Sequence, residues 1–133
     1  MLQAEDYSAL GAFRYAMRKF LRFSKEALAD AKLTPEQYEA LLSIKSCSIG
    51  NGLNIRDLSE QLQVRHHSAV SLVNKLAGKE LIAKKRATDD RREVLVELTS
   101  FGESTLAILA EIHRREIRAR SMEMIDALQR LQK

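Results

Sequence analysis

The sequence predicts a mainly α fold with one small β-hairpin, and three observations carry that prediction. Apolar residues recur at helical spacing from Tyr7 to Ala29 and again from Leu106 to Leu131, the period of amphipathic helices. Leu81–Arg86 and Val94–Leu98 read as two short strands around a polar connection. Two further helical stretches, separated by Gln63-Val64-Arg65, precede that hairpin. With 133 residues, 45% of them hydrophobic, the chain has material for one compact domain.

In the first helix the apolar positions are Tyr7, Leu10, Phe13, Met17, Phe20, Leu21 and Leu28, and five of the seven aromatic residues lie in it. At this spacing they suit a core or a dimer interface, with an effector pocket as the other use. Thr34-Pro35-Glu36-Gln37 opens the second helix: threonine caps, proline takes the first helical position and glutamine completes a capping box. This helix is expected to bury Tyr38, Leu41, Leu42 and Ile44 and to stop in Ser48-Ile49-Gly50-Asn51-Gly52. Asn54 caps a short third helix with Asp57 at its third position, and Ile55, Leu58 and Leu62 form one face.

After the tight connection, Ala69, Leu72, Val73 and Leu76 share one side of the next helix, at about 100° per residue. His67, Ser71, Asn74 and Gly78 take the other side with Lys75 alongside, and no acid appears before Glu80. Lys84-Lys85-Arg86 ends the first strand, and Thr88-Asp89-Asp90-Arg91-Arg92 makes a hairpin with a basic tip. Ser100-Phe101-Gly102-Glu103 reads as another capping box. The helical pattern that follows, with Leu106, Leu109, Ile112, Ile117, Ile125, Leu128 and Leu131, is too long to bury itself on a small domain and calls for a second copy.

Helix, short helix, tight turn, polar-faced helix and basic hairpin make, in that order, a winged helix-turn-helix with N- and C-terminal dimerisation helices. The expected organisation is a single domain over 1–133, with a DNA-binding lobe over 33–99 and dimerisation helices over 1–30 and 100–133. In this arrangement the second helix of the pair presents its first residues to base edges in the major groove. The hairpin, or wing, can hold an arginine against the narrow, negative minor groove. The candidate contacts are Arg65, His66, His67, Ser68, Val70, Ser71, Asn74 and Lys75 on the helix and Lys84, Lys85, Arg86, Asp90, Arg91 and Arg92 on the wing. The partner implied is double-stranded DNA with a pseudo-palindromic operator, read by a homodimer.

The residues resemble the MarR-type (multiple-antibiotic-resistance regulator) transcription regulators over nearly the whole chain. The resemblance runs from Leu33-Thr34-Pro35 through Asp57-Leu58-Ser59-Glu60-Gln61-Leu62 and Leu72-Val73-Asn74-Lys75-Leu76. It continues through Asp90-Arg91-Arg92, Val94-Leu95-Val96-Glu97-Leu98-Thr99 and Gly102. The wing signature, Asp90 followed two residues later by Arg92, then a strand ending in Leu-Thr and a glycine, is its most specific part. The resemblance implies a homodimer joined by the terminal helices, a repressor by family default, and often a small-molecule effector pocket between the dimerisation region and the DNA-binding lobe. Family members often carry an arginine one turn into the recognition helix, where this chain has Val70-Ser71. An arginine-to-guanine contact is therefore not expected there. Val70 is placed to touch a thymine methyl, and His66, His67 or Ser68 to donate hydrogen bonds. Glu80 stands where a glycine is usual before the first wing strand, so a differently shaped helix end is expected.

Other chemistries find little support. His66 and His67 are adjacent and diverge on a helix, and His113 and Cys47 are distant in sequence, so no metal site and no cofactor are expected. The one cysteine excludes an internal disulfide and points to a reducing cytoplasm. Cys47 is expected to be an inert thiol rather than a redox sensor. No nucleophile with its base, phosphate-cradling loop or paired-carboxylate site is present, so no catalytic residue and no enzyme activity are expected. No apolar run reaches membrane-spanning length, and the first residues carry acids where a secretion signal carries bases. The net charge of +4 is clustered, with Arg114, Arg115, Arg118 and Arg120 forming a group of undefined role. The competing reading is a winged-helix module used for protein–protein contact without DNA.

Overall fold

The structure, a computed structural model, describes residues 1–48, 50, 52–86 and 93–133. Within these the chain forms helices α1 (Ala4–Ala29), α2 (Pro35–Cys47), α3 (Ile55–Leu62), α4 (His66–Gly78), α5 (Ser100–Arg120) and α6 (Met122–Leu131). The strands are β1 (Leu53–Asn54), β2 (Ile82–Arg86) and β3 (Val94–Leu98). Two compact units result: Met1–Lys32 with Leu109–Lys133, and Leu33–Ile108.

In the unit Leu33–Ile108, side chains set the helix starts. Thr34 Oγ1 accepts from the Gln37 N–H and Gln37 Oε1 accepts from the Thr34 N–H, both at 3.1 Å, closing the capping box. Asn54 Oδ1 accepts from the Asp57 N–H at 2.7 Å, satisfying a first-turn donor of α3. The turn between α3 and α4 places Gln63 in the left-handed region (φ 55°), and its side-chain amide folds back onto the Glu60 carbonyl at 2.8 Å. Leu41, Ile44, Leu58, Val73, Leu76 and Val96 are fully buried at the centre of this unit. Each such side chain stabilises the fold by about 1.5–3 kcal/mol relative to exposure. Leu42, expected inside, is instead exposed. Tyr38, Leu41 and Ile44 define the covered side of α2, and Leu42 falls just beyond its edge.

The sheet has one strand more than the hairpin the sequence predicts. Its order is β1-β3-β2, antiparallel throughout, with Leu53 and Lys84 both opposite Val96. A two-residue strand is too short to show an alternating pattern. Gly52 permits this pairing, because a Cβ there would lie 2.6 Å from the Val96 carbonyl oxygen and its φ of 141° suits glycine.

Helix α4 ends with Glu80 in the left-handed region (φ 62°). The Leu81 N–H reaches back to the Leu76 carbonyl at 3.1 Å and the Glu80 N–H to Ala77 at 3.0 Å, the hydrogen-bond pattern of a glycine-type helix end. The glutamate thus adopts the conformation a glycine would take there. At the start of α5 the cap is Thr99, one residue earlier than expected. Its Oγ1 accepts from the Gly102 N–H at 3.0 Å while its hydroxyl donates to the Glu80 carbonyl at 2.7 Å. Thr99 is held there by its N–H, which donates to the Leu81 carbonyl at 3.1 Å. Glu103, released from the expected box with Ser100, pairs with Lys45 at 2.9 Å.

In the other unit, α6 runs antiparallel beside α1. Arg130 donates to Ser8 Oγ at 3.0 Å and pairs with Glu5, and Lys19 pairs with Glu123 at 2.6 Å. His113 is buried; its Nδ1 donates to the Leu109 carbonyl at 2.7 Å, so Nε2 accepts from the Ser24 hydroxyl at 2.8 Å. The rings of Phe20 and Phe23 meet it edge-on, with centroids 6.1 and 6.0 Å away. The C-terminal helical pattern is interrupted at Ser121, a break no proline or glycine announces, and α6 packs along α1. Tyr7, Leu10, Leu21, Ile112, Ile117, Ile125 and Leu128 stay exposed: the apolar surface of this unit exceeds what one chain covers.

Candidate nucleic-acid interface

The first turn of α4 is open to solvent. Arg65 occupies the cap position in extended backbone (φ −69°, ψ 154°), with no side-chain cap and no acid in the first turn. The Ser68 and Ala69 N–H groups both bond the Arg65 carbonyl, at 3.0 and 3.1 Å. The His66 and His67 N–H groups therefore precede the helical ladder. A helix start of this kind carries partial positive charge and attracts phosphate.

The side chains sort by helical phase. Ala69, Val73 and Leu76 are buried, which turns the opposite side outward. Arg65, His66, His67, Ser71, Asn74 and Lys75 are exposed, while Ser68 and Val70 are half-buried at the edge of the packed face. The adjacency of His66 and His67 directs them apart, as the sequence predicts for a helix.

Alternation along β2 separates the wing cations. Lys84 and Arg86 are exposed, and Lys84 Nζ donates to Asn74 Oδ1 at 2.8 Å, joining the wing to α4. Lys85 turns to the other face and pairs with Glu97 at 2.9 Å. Asp90, Arg91 and Arg92 lie outside the described residues. At the far end of the wing, Glu93 accepts from Asn54 Nδ2 at 2.7 Å, tying the α3 cap to the start of β3. Sequence reasoning missed these three links. Each joins residues from different elements at separations that carry no periodic signal.

The remaining candidates are placed as follows. Cys47 is half-buried with its Sγ 3.5 Å from Ser46 Oγ. Among the described residues no group of three His, Cys, Asp or Glu side chains is placed to hold a metal ion. In the Arg114–Arg120 group, Arg114 and Arg115 converge on Glu111 at 2.9 and 3.2 Å, and Arg120 pairs with Glu116 at 2.7 Å. The hydrogen bond from Arg114 holds the Glu111 carboxyl below the usual carboxylate range. A cavity of about 600 Å³ lies within the helical unit, bounded by Ala16, Lys19, Phe20, Ile117, Arg120 and Met122 among others. No described helix is long and apolar enough to cross a membrane.

A short helix, a left-handed turn, a second helix with an open polar face and a three-stranded sheet define a winged helix-turn-helix protein. The chain belongs to the SarA/Rot family of transcriptional regulators: residues 22–109 match the family described as "Transcriptional regulator SarA/Rot". Such regulators are not enzymes. No curated protein matches the chain. Among solved structures it is similar to AbsC, a MarR family transcriptional regulator from Streptomyces coelicolor, with a TM-score of 0.77 and 20% identity over 95% of this chain and 82% of that one. It is similar to the transcriptional repressor CouR bound to a 23-mer DNA duplex (TM-score 0.74, 24% identity, 97% and 93% covered). It is also similar to MepR from S. aureus in a DNA complex (TM-score 0.71, 23% identity, 85% and 80% covered). The likeness is one of fold, and it agrees with the MarR-type resemblance carried by the sequence motifs.

Proposed function

We propose that the chain represses transcription as a homodimer that binds a pseudo-palindromic operator in double-stranded DNA, acting in the cytoplasm. The observation that carries this reading is the open, acid-free first turn of α4, where Arg65, His66 and His67 are exposed beside Ser71, Asn74 and Lys75. His66, His67 and Ser71 would read base edges, Val70 a thymine methyl, and Arg65 and Lys75 the phosphates. Lys84, Arg86, Arg91 and Arg92 would follow the backbone and minor groove, with Asp90 orienting Arg92. CouR and MepR, solved with DNA, support the same use of the fold. The residues 1–30 and 100–133 are assigned to dimerisation because their exposed apolar side chains need a cover. An effector that releases the DNA has a candidate site in the cavity of about 600 Å³, within the usual size of small-molecule pockets.

Selection of bound fragments from a random duplex pool, followed by affinity measurements over a salt series, tests the reading. A dyad-related consensus is expected, with affinity falling about 10³–10⁵-fold between 50 and 200 mM salt if 6–10 phosphates are contacted. Absence of any enriched sequence and of salt-dependent binding would favour the protein–protein module instead.

A further inference from the structure

The side-chain amide of Asn74 is held in one orientation by a neighbour on the wing. Lys84 Nζ donates to Asn74 Oδ1 at 2.8 Å, and both side chains are exposed within the one compact unit Leu33–Ile108. An ammonium group has donors and no acceptor, so the amide must turn its oxygen to Lys84 and its NH2 group away. Among the described residues that NH2 group has no hydrogen-bond partner.

Asn74 also lies on the outward stripe of α4. His67, Ser71 and Asn74 fall within an arc of about 60° at the helical period, and all three are exposed. Gly78, next on that stripe, has no side chain, so Asn74 is the last group on it able to reach a base. It stands about 10 Å beyond His67 along the helix axis, the rise of about three base pairs.

We infer that Asn74 reads a base and that Lys84, as its positioning residue, sets the choice to guanine rather than adenine; the inference rests on the DNA-binding reading above. A free asparagine amide matches adenine with both ends, accepting from N6–H and donating to N7. With Oδ1 turned to Lys84, the amide cannot present both ends to one base, and what it offers is a donor. The major-groove edge of guanine carries two adjacent acceptors, O6 and N7, whereas adenine would set its N6 donor against the Asn74 donor. The Lys84 charge favours the same guanine edge, which lysine and arginine contact most often. No arginine stands one turn into α4, where the chain has Val70-Ser71. The Asn74–Lys84 pair supplies a guanine-directed donor from the other end of the helix.

The test uses the full chain in selection from a random duplex pool, followed by affinities for duplexes carrying each base at the position concerned. That position is the one whose preference disappears in Asn74→Ala, expected about three base pairs from the one that His67→Ala alters. Wild type should prefer guanine to adenine there by about tenfold, the lower part of the range for a good side-chain–base pair. Lys84→Met keeps the aliphatic stem but removes the donor; it frees the amide and should move the preference to adenine, while Lys84→Arg should keep guanine. The readout is a ratio between bases, so a general loss of affinity from a missing charge does not enter it. A wild-type preference for adenine at that position overturns the inference. So does a guanine preference that Lys84→Met leaves unchanged at wild-type helicity, or an Asn74→Ala variant with every base preference intact. In each of these cases operator binding by the wild type leaves the DNA-binding reading standing. Wild-type protein that enriches no sequence and binds no duplex overturns both.

Discussion

Lys84 and Asn74 meet across ten residues of sequence: the Lys84 ammonium donates to the Asn74 side-chain oxygen at 2.8 Å, joining β2 to α4. Both side chains are exposed, so the bond contributes little to folding and its value is positional. It holds a cation of the wing at a set distance from the face proposed to read bases.

Loss of that link should be visible in DNA binding rather than in stability. Lys84→Ala should weaken operator binding and reduce the salt slope by about 1 per half-site. Asn74→Ala should cost less, and the two changes together should depart from additivity by about 0.5 kcal/mol or more, as contacting residues do. A double-mutant cycle on operator affinity checks this; strict additivity would show that the bond plays no part in recognition.

Gly102 has no room for a side chain. A Cβ at this position would lie 2.0 Å from the Leu81 carbonyl oxygen, and that oxygen is already engaged by the Thr99 N–H at 3.1 Å. Gly102→Ala must push α5 away from the strand entry, with a cost of about 1–3 kcal/mol expected for overpacking. Urea unfolding should report the loss, and a variant as stable as wild type would mean that α5 shifts without penalty.

Glu80 offers the opposite change. Its left-handed backbone (φ 62°) is unfavourable for any residue with a Cβ, and its side chain is exposed. Glu80→Gly relieves that strain but gains backbone freedom in the unfolded chain. A net stabilisation of about 0.5–1 kcal/mol is expected, measured as a rise in the urea midpoint. A fall in the midpoint would show that the glutamate contributes more than its backbone geometry indicates.

The Glu111 carboxyl should titrate below the ordinary carboxylate range, because Arg114 donates a hydrogen bond to it and Arg115 adds to the effect. With the folded value depressed, its contribution to stability is fully present above the unfolded carboxylate value. That contribution is lost as pH falls through the folded one. Carbon-detected NMR titration of the side chain should show the midpoint move upward in Arg114→Ala. An identical midpoint in both proteins would dissolve the pairing.

Much of the architecture was legible because it rests on local chemistry. Thr34 with Gln37 and Asn54 with Asp57 are helix starts written within four residues, and the phase of Ala69, Val73 and Leu76 alone turns His67, Ser71 and Asn74 outward. Capping and helical period act over a single turn, so these elements, their order and the polar face of α4 follow from neighbouring residues alone. Tertiary structure decided what depends on distant partners. The pairing of β1 with β3 moved into register through Gly52, and the α5 cap moved to Thr99 because Leu81 holds its N–H. Contact with neighbours also placed Lys85 on Glu97 and Lys84 on Asn74 and left Leu42 outside. None of these has a repeating spacing in sequence. Each follows from which surfaces meet once the helices and strands pack, a choice made by close contact and hydrogen-bond satisfaction over the whole unit.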